Sequence, residues 1–205
     1  MNKFFKFRLP VLTAICCISL GGYLSAQSYK VQTGSKAFVD GTSTLHNWTS
    51  EVKELSGEIA FLPEFLQKSP ASGNAISQVN LKFKVESMDG GRGATMNNKI
   101  FAALQATSHP YITFQSTAPV VCTGVKDAAA KVYNFKAKGN LTIGGVAKAV
   151  EVLLEGKPAG TGQYQFSGSH SFKMSDFNIE PPSAMFGQIV CGDDVTFRFE
   201  LVAAP

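Results

Sequence analysis

Charged residues are scarce in this chain, and the motifs of the common enzyme classes are missing. Asp, Glu, Lys and Arg make up 17% of the 205 residues. There is no Gly-x-Ser-x-Gly elbow, His-Glu-x-x-His, Cys-x-x-Cys, P-loop or Gly-x-Gly-x-x-Gly after a strand. Those motifs supply the nucleophiles, zinc ligands and phosphate-binding loops of many enzymes. We therefore expect a protein that is not an enzyme and that has no metal site.

Cysteine is also rare. The chain has four, and two of them, Cys16 and Cys17, lie near the N-terminus. The other two, Cys122 and Cys191, would form a disulfide in an oxidising compartment if their backbones approach closely enough. Two separately buried thiols are the alternative, and the sequence leaves both open.

The N-terminal segment has the three parts of a secretory signal peptide. Lys3, Lys6 and Arg8 precede an apolar run from Leu9 to Leu24, and small residues follow. The run is shorter than the roughly 20 residues that span a bilayer. We therefore predict a signal peptide over residues 1–26 with cleavage after Ala26, one mature domain over 27–205, and no stable membrane span.

The apparent excess of positive charge belongs mostly to that segment. Without its three basic residues the chain keeps 16 basic and 15 acidic side chains. No Lys/Arg cluster remains on any one segment, which argues against nucleic acid as a partner.

Alternation of apolar and polar residues dominates the rest of the chain. It is clearest where Val79, Leu81, Phe83 and Val85 alternate with polar residues, and this period is typical of half-buried strands. Eight segments have this character: 29–39, 44–61, 79–85, 111–117, 131–143, 148–155, 163–174 and 195–201. Long strands joined by short turns predict an all-β fold, an eight-stranded antiparallel barrel, with a sandwich as the alternative.

Two segments depart from the strand pattern. From Ala94 to Ala106 apolar residues recur at helical spacing, which predicts a short helix near the barrel mouth. The segment from Leu62 to Ser77 contains two prolines and a glycine and is predicted to be a surface loop.

Phenylalanine is abundant, with 16 residues. Many fall on the apolar side of a predicted strand, so a barrel would have a Phe-lined interior that either packs solid or holds an apolar guest. The candidate lining residues of such an apolar tunnel are Phe61, Phe83, Val85, Phe114, Phe135, Phe166, Phe172, Phe197 and Phe199.

Three polar or amphipathic side chains stand out against this background. His170 lies between Phe166 and Phe172 on an apolar face, and His46 lies close to Trp48, the only tryptophan. Each histidine is either a core residue with a hydrogen-bond partner or a contact for a ligand. A metal or redox site built on His46 and His170 is a further alternative, although no ligand-spacing motif supports it.

Several short motifs follow one another along the chain: the Tyr29-Lys30-Val31 strand, Ser43-Thr44-Leu45-His46, His109-Pro110-Tyr111-Ile112-Thr113-Phe114, Gly139-Asn140-Leu141-Thr142-Ile143-Gly144-Gly145 and Ser175-Asp176-Phe177. Taken in this order, they resemble the YceI-like family. The sequence departs from the usual pattern after His46, where Asn47 and Trp48 follow. The helix region also lacks the usual His-Leu start.

The resemblance implies a lipocalin-like periplasmic or secreted barrel that binds polyisoprenoids or other long-chain lipids. His46, Trp48, His170 and Asp176 would then lie at the mouth or against a lipid head group. The partner would be a small apolar ligand, an isoprenoid or a fatty acid, and no other cofactor is expected. Whether the protein forms a homodimer is left open. The alternative is a non-catalytic envelope or stress protein with a filled core.

Overall fold

A single antiparallel sheet closes on itself in residues 26–205, the part of the chain that the computed structural model describes. Residues 1–25 of the predicted signal peptide lie outside the described residues. The strands are β1 Gln27–Val31, β2 Lys36–Ser43, β3 Trp48–Val52, β4 Leu55–Phe61, β5 Gly73–Lys84, β6 Met88–Asp89, β7 Tyr111–Ser116, β8 Val120–Asp127, β9 Val132–Ile143, β10 Val146–Pro158, β11 Tyr164–Lys173, β12 Ser183–Ala184 and β13 Ile189–Ala204.

The barrel wall has eight strand positions, each beside its neighbours in sequence. The first four positions are long strands that are each broken into two segments: β1 and β2, β3 and β4, β5 and β6, and β7 and β8. The other four positions are the single strands β9, β10, β11 and β13. β1 pairs with both β4 and β13, which closes the barrel. The predicted eight-stranded antiparallel barrel is confirmed, and a sandwich is excluded because the strands of residues 26–205 leave no edge between two sheets.

Short irregular steps divide the broken strands without changing which face points inward. The predicted strand over 29–39 is split by a turn at Gly34, whose φ of 96° favours glycine. The bend expected within 44–61 lies between Val52 and Leu55. β8 was not among the predicted strands.

The segment from Leu62 to Ser77 is not a loop throughout, contrary to the prediction. It contains helix α1, Pro63–Lys68, and β5 begins at Gly73. Pro63 occupies the first turn of the helix, where the missing N–H costs no hydrogen bond. The helix buries Phe65 completely in the barrel core.

The predicted helix near the mouth is α2, Ala94–Ala103. It ends three residues before the predicted boundary, because Gln105 adopts a left-handed conformation with φ of 53°. None of the helices in the described part of the chain has the length and apolar character needed to cross a membrane.

Candidate functional site: two apolar cavities along the barrel axis

A first cavity of about 80 Å³ lies in the middle of the barrel. Its wall comes from inward-facing residues of β4, β5, β7, β8, β9, β10, β11 and β13. All of the lining residues but His170 are apolar: Ile59, Ile76, Val79, Leu81, Phe83, Phe114, Val120, Ala137, Leu141, Val150, Val152, Leu154, Phe166, Phe197, Phe199 and Leu201. Such a wall excludes polar molecules and suits an apolar guest.

A second and larger cavity of about 230 Å³ lies between the barrel mouth and α2. The helix presents Met96, Lys99, Ile100 and Ala103 to it, and this spacing of three and four residues is one helical face. The wall on the barrel side includes Val39, Ser43, Trp48, Ser50, Met88, Ile112, Ile143, Phe172, Met174, Cys191 and Val195.

The two cavities follow each other along the strands. On β13, Phe197 lines the first cavity and Val195 lines the second. On β11, His170 lines the first and Phe172 the second. Alternate residues of a strand point to the same face, so both residues of each pair face the barrel interior. The second residue of each pair lies one inward-facing position closer to the mouth.

Aromatic rings fill the end of the barrel opposite α2. Phe61 and Phe65 are both 0% exposed, and α1 holds Phe65 within 5.6 Å of Tyr133 and Phe135 between ring centroids. Tyr29, Tyr164 and Phe166 pack on the same group. We refer to these seven residues, Tyr29, Phe61, Phe65, Tyr133, Phe135, Tyr164 and Phe166, as the aromatic plug.

Asp89 anchors α2 over the mouth. Its carboxylate accepts hydrogen bonds from Lys53 Nζ at 2.5 Å, from the Gly91 N–H at 2.9 Å and from Asn97 Nδ2 of the helix at 3.3 Å. These donors, Lys53 first, lower the pKa of Asp89 to about 2. At the other side Lys99 donates to the carbonyl of Ser183, which ties the helix to β12.

The structure brings most of the sequence-predicted residues to the two cavities. Phe83, Phe114, Phe166, Phe197, Phe199 and His170 line the first cavity. Phe172, His46 and Trp48 line the second.

Four predicted residues line neither of these two cavities in the described part of the chain. Phe61 and Phe135 are in the aromatic plug, because their strand positions lie too close to the filled end. Val85 is buried, but it belongs to a short 3-10 turn that follows β5. Asp176 is an exposed residue of a 3-10 turn and accepts a hydrogen bond from the Lys173 N–H at 3.4 Å.

Cys122 and Cys191 are both free thiols. Cys122 is buried beside the aromatic plug, whereas Cys191 is half-buried at the mouth and lines the second cavity. Opposite ends of the barrel separate them, so the disulfide prediction gives way to the alternative of two separate thiols. Burial raises the pKa of each.

The three histidines have different surroundings. His170 faces the first cavity, and burial lowers its pKa. His46 faces the second cavity with Nδ1 2.9 Å from the Asn47 carbonyl oxygen. His109 packs under the Gly145 turn, where a Cβ on the glycine would lie 2.5 Å from the ring. Within residues 26–205 no group of three or more His, Cys, Asp or Glu side chains could hold a metal ion.

Some residues that line the cavities were not predicted from the sequence. Ser50 is the most informative, since its hydroxyl is buried at a position between the inward-facing Trp48 and Val52. The sequence could have indicated this residue, because Ser50 is a polar side chain at an inward-facing position of the strand. The lining residues of β10, such as Val150 and Leu154, were also not singled out.

A closed eight-stranded antiparallel barrel with an apolar interior and a helix across one end defines the lipocalin-like class of fold. The model of the YceI-like domain matches residues 29–203, and the chain belongs to this family. The match spans every strand of the wall from Tyr29 onward. Comparison with curated proteins finds no significant match.

Solved structures share this fold. BcnA of Burkholderia cenocepacia is 22% identical, with a TM-score of 0.62, over 83% of this chain and 97% of its own. A polyisoprenoid binding domain from Saccharophagus degradans is 16% identical, with a TM-score of 0.65, over 88% and 99%. The Campylobacter jejuni YceI protein is 21% identical, with a TM-score of 0.56, over 76% and 84%. At these identities the likeness concerns the fold.

Proposed function

We propose that this protein binds a long apolar lipid, an isoprenoid or a fatty-acyl chain, inside the barrel and thereby sequesters or carries it. The observation that carries the proposal is the first cavity, whose described lining residues are apolar apart from His170. Each Å² of apolar surface that such a ligand removes from water contributes about 25 cal/mol before ordering costs are subtracted.

Family membership supports this proposal. The chain belongs to the YceI-like family, and the Saccharophagus degradans neighbour is described as a polyisoprenoid binding domain. We infer a non-catalytic role, since the described lining of the first cavity is apolar apart from His170, whereas a reaction would need convergent acid, base or nucleophilic groups. The alternative, an envelope or stress protein with a filled core, is favoured less because the barrel encloses two cavities.

We also propose that residues 1–26 are a signal peptide and that the mature protein acts in the periplasm or outside the cell. β1 begins at Gln27, directly after the proposed cleavage site, and pairs with β4. Cleavage after Ala26 would therefore leave the whole barrel wall intact. Intact mass of the protein recovered from the periplasmic or secreted fraction tests this proposal: a chain starting at Gln27 supports it, and one starting at Met1 contradicts it.

Native mass spectrometry of the mature protein, followed by organic extraction, tests the lipid proposal directly. We expect a stoichiometric extra mass that disappears on extraction and matches an isoprenoid or a fatty acid. A bare polypeptide mass that is also unchanged after incubation with both lipid classes would favour the filled-core alternative.

A pair of charged variants on one strand locates the binding site. Val150→Asp places a carboxylate in the wall of the first cavity, whereas Leu153→Asp places one on the outer face of β10, where Leu153 is 66% exposed. We expect Val150→Asp to lose the bound lipid and Leu153→Asp to keep it, because an unpaired buried charge is costly. Circular dichroism checks that both variants fold. Equal lipid content in two folded variants would place the lipid elsewhere.

A further inference from the structure

Ser50 is the one buried side chain in the described residues whose polar atom lacks a hydrogen-bond partner. The residue is 0% exposed, and it lines the second cavity from β3. Leaving a buried hydroxyl without a partner costs free energy, and buried polar groups in folded proteins are nearly always paired. The unpaired hydroxyl therefore suggests that its hydrogen-bond partner is a group of a ligand bound in the cavity.

His170 is connected to Ser50 through the strand register of the barrel wall. The strand register joins four inward-facing residues on adjacent strands: His170 pairs with Phe197, Phe197 with Val39, and Val39 with Ser50. His170 and Phe197 line the first cavity, whereas Val39 and Ser50 line the second. This row of four residues is the boundary between the cavities, and its two polar members interrupt an otherwise apolar wall.

The charge of the wall limits the chemistry of the arriving group. The row contains no Lys or Arg, and the cations of the second cavity, Arg92 and Lys99, lie on and before α2 at the mouth. An anionic group that pairs with Ser50 would therefore have no Lys or Arg beside it in the row, and burying a charge without an adjacent partner is unfavourable. A neutral hydroxyl, ester or amide needs only the hydrogen bond.

We propose that the preferred ligand carries an uncharged hydrogen-bonding group at the boundary between the two cavities, where it pairs with Ser50 Oγ. This inference rests on the proposed lipid-binding function and names the class of lipid: a neutral amphiphile such as a long-chain alcohol or ester. The apolar chain then extends from this row into the first cavity, and the polar group stops at the row that holds Ser50.

Two probes that differ in one group test the proposal. Dodecanol and tridecane have similar length, and the alkane replaces the hydroxyl by a methyl group. Trp48 is the only tryptophan and lines the second cavity, so its fluorescence reports binding of either probe. Titrations are made on the mature protein, after extraction of any endogenous lipid, with the wild type and with three variants: Ser50→Ala, Ser50→Thr and Ser43→Ala.

Ser43→Ala is the matched control. Ser43 lines the same cavity, but its hydroxyl already donates to the His46 carbonyl at 2.8 Å. We expect Ser50→Ala to weaken dodecanol binding about fivefold, the ratio typical of one neutral hydrogen bond, and to leave tridecane binding unchanged. Ser50→Thr and Ser43→Ala should keep the preference for dodecanol.

The possible results are distinguishable. An unchanged ratio of dodecanol to tridecane affinity in Ser50→Ala would overturn the assignment of Ser50 while leaving lipid binding intact. Failure of the wild type to bind either probe would overturn the proposed function itself. Urea unfolding of the ligand-free protein adds a second readout: we expect Ser50→Ala to be as stable as the wild type or more stable, and a clear loss would mean that the hydroxyl already has a partner.

Discussion

Phe83 and Phe197 meet edge to face across the barrel interior, with ring centroids 4.9 Å apart and an interplanar angle of 75°. Both rings line the first cavity, whereas Ile112, which pairs with Phe83, and Val195, the next inward residue of β13 toward the mouth, line the second. The pair is therefore a constriction between the two cavities. An edge-to-face contact of this kind contributes about 0.5–1.5 kcal/mol beyond the burial of its surface.

Removing one ring of the pair should join the cavities. Phe197 is only partly buried, so we expect Phe197→Ala to cost about 3 kcal/mol of unfolding free energy, the low end for such truncations. The variant should bind longer alkyl chains more tightly than the wild type does, as measured by a chain-length series in the Trp48 fluorescence assay.

Phe65→Ala is the control, since Phe65 belongs to the aromatic plug and is fully buried. It should lose about 3–5 kcal/mol without changing the preferred chain length. A Phe197→Ala variant with the chain-length preference of the wild type would mean that the two rings do not limit the ligand.

Gly156 is required by close packing against the aromatic plug. A Cβ at this position would lie 2.7 Å from Phe135 Cε2 and 2.8 Å from Phe166 Cδ1. We expect Gly156→Ala to destabilise the protein by about 1–3 kcal/mol in urea unfolding, because both rings are held by neighbours and cannot move freely.

Gly124→Ala provides the comparison, since a Cβ there meets nothing within 4 Å. It should leave stability unchanged or raise it by up to about 1 kcal/mol by restricting the unfolded chain. Equal losses in the two variants would contradict the packing explanation.

Asp89→Asn should loosen α2 over the mouth. The substitution removes the charge that Lys53 pairs with and leaves an amide in place of one acceptor oxygen. We expect faster hydrogen exchange of the α2 amides and faster release of a bound lipid, with the barrel strands unaffected. Glu54, which pairs with Lys84 outside the mouth, supplies the control variant Glu54→Gln. Equal release rates for Asp89→Asn and wild type would show that the anchor does not govern release.

The same carboxylate defines a range of pH. Because its pKa is lowered from 3.8 to about 2, the ionised form favours the folded state above pH 3.8. This contribution is lost as the pH falls from 3.8 through 2, so lipid release that depends on Asp89 should stay constant at neutral and mildly acidic pH.

His170 predicts a pH effect in a different range. Burial lowers its pKa below 6.5, so the unfolded chain binds a proton at a higher pH than the folded barrel does. Stability should therefore fall as the pH decreases from 6.5 through the folded pKa, and become constant below it. Unfolding of the wild type and of His170→Phe across this range measures the effect. If the stability difference between them does not change with pH, the imidazole does not titrate in the cavity wall.

The sequence predicted the direction of side chains better than their depth. Phe61 and Phe83 both fall on the apolar phase of a predicted strand, and both point inward. One belongs to the aromatic plug and the other lines a cavity, because depth along the barrel follows from the register between strands. Register is a tertiary property that a single strand pattern does not contain.

Local signals also failed where tertiary contacts dominate. β8 alternates over only three positions, Val120 to Gly124, and then becomes exposed, so its pairing with β9 is what makes it a strand. Pro63 was interpreted as a loop residue, yet at the first turn of a helix proline is favourable. Phe65 and the plug that it completes were missed for that reason.

The aromatic plug makes the barrel a blind tube. An alkyl chain that is longer than the width of the tube cannot turn around inside it. The end of the lipid that enters last must therefore leave first. If the proposed lipid lies with its tail toward Phe61 and its polar group toward α2, it would leave the barrel with its head before its tail. An acceptor, whether a membrane or another protein, would then meet the polar end first, because the other end of the barrel is filled.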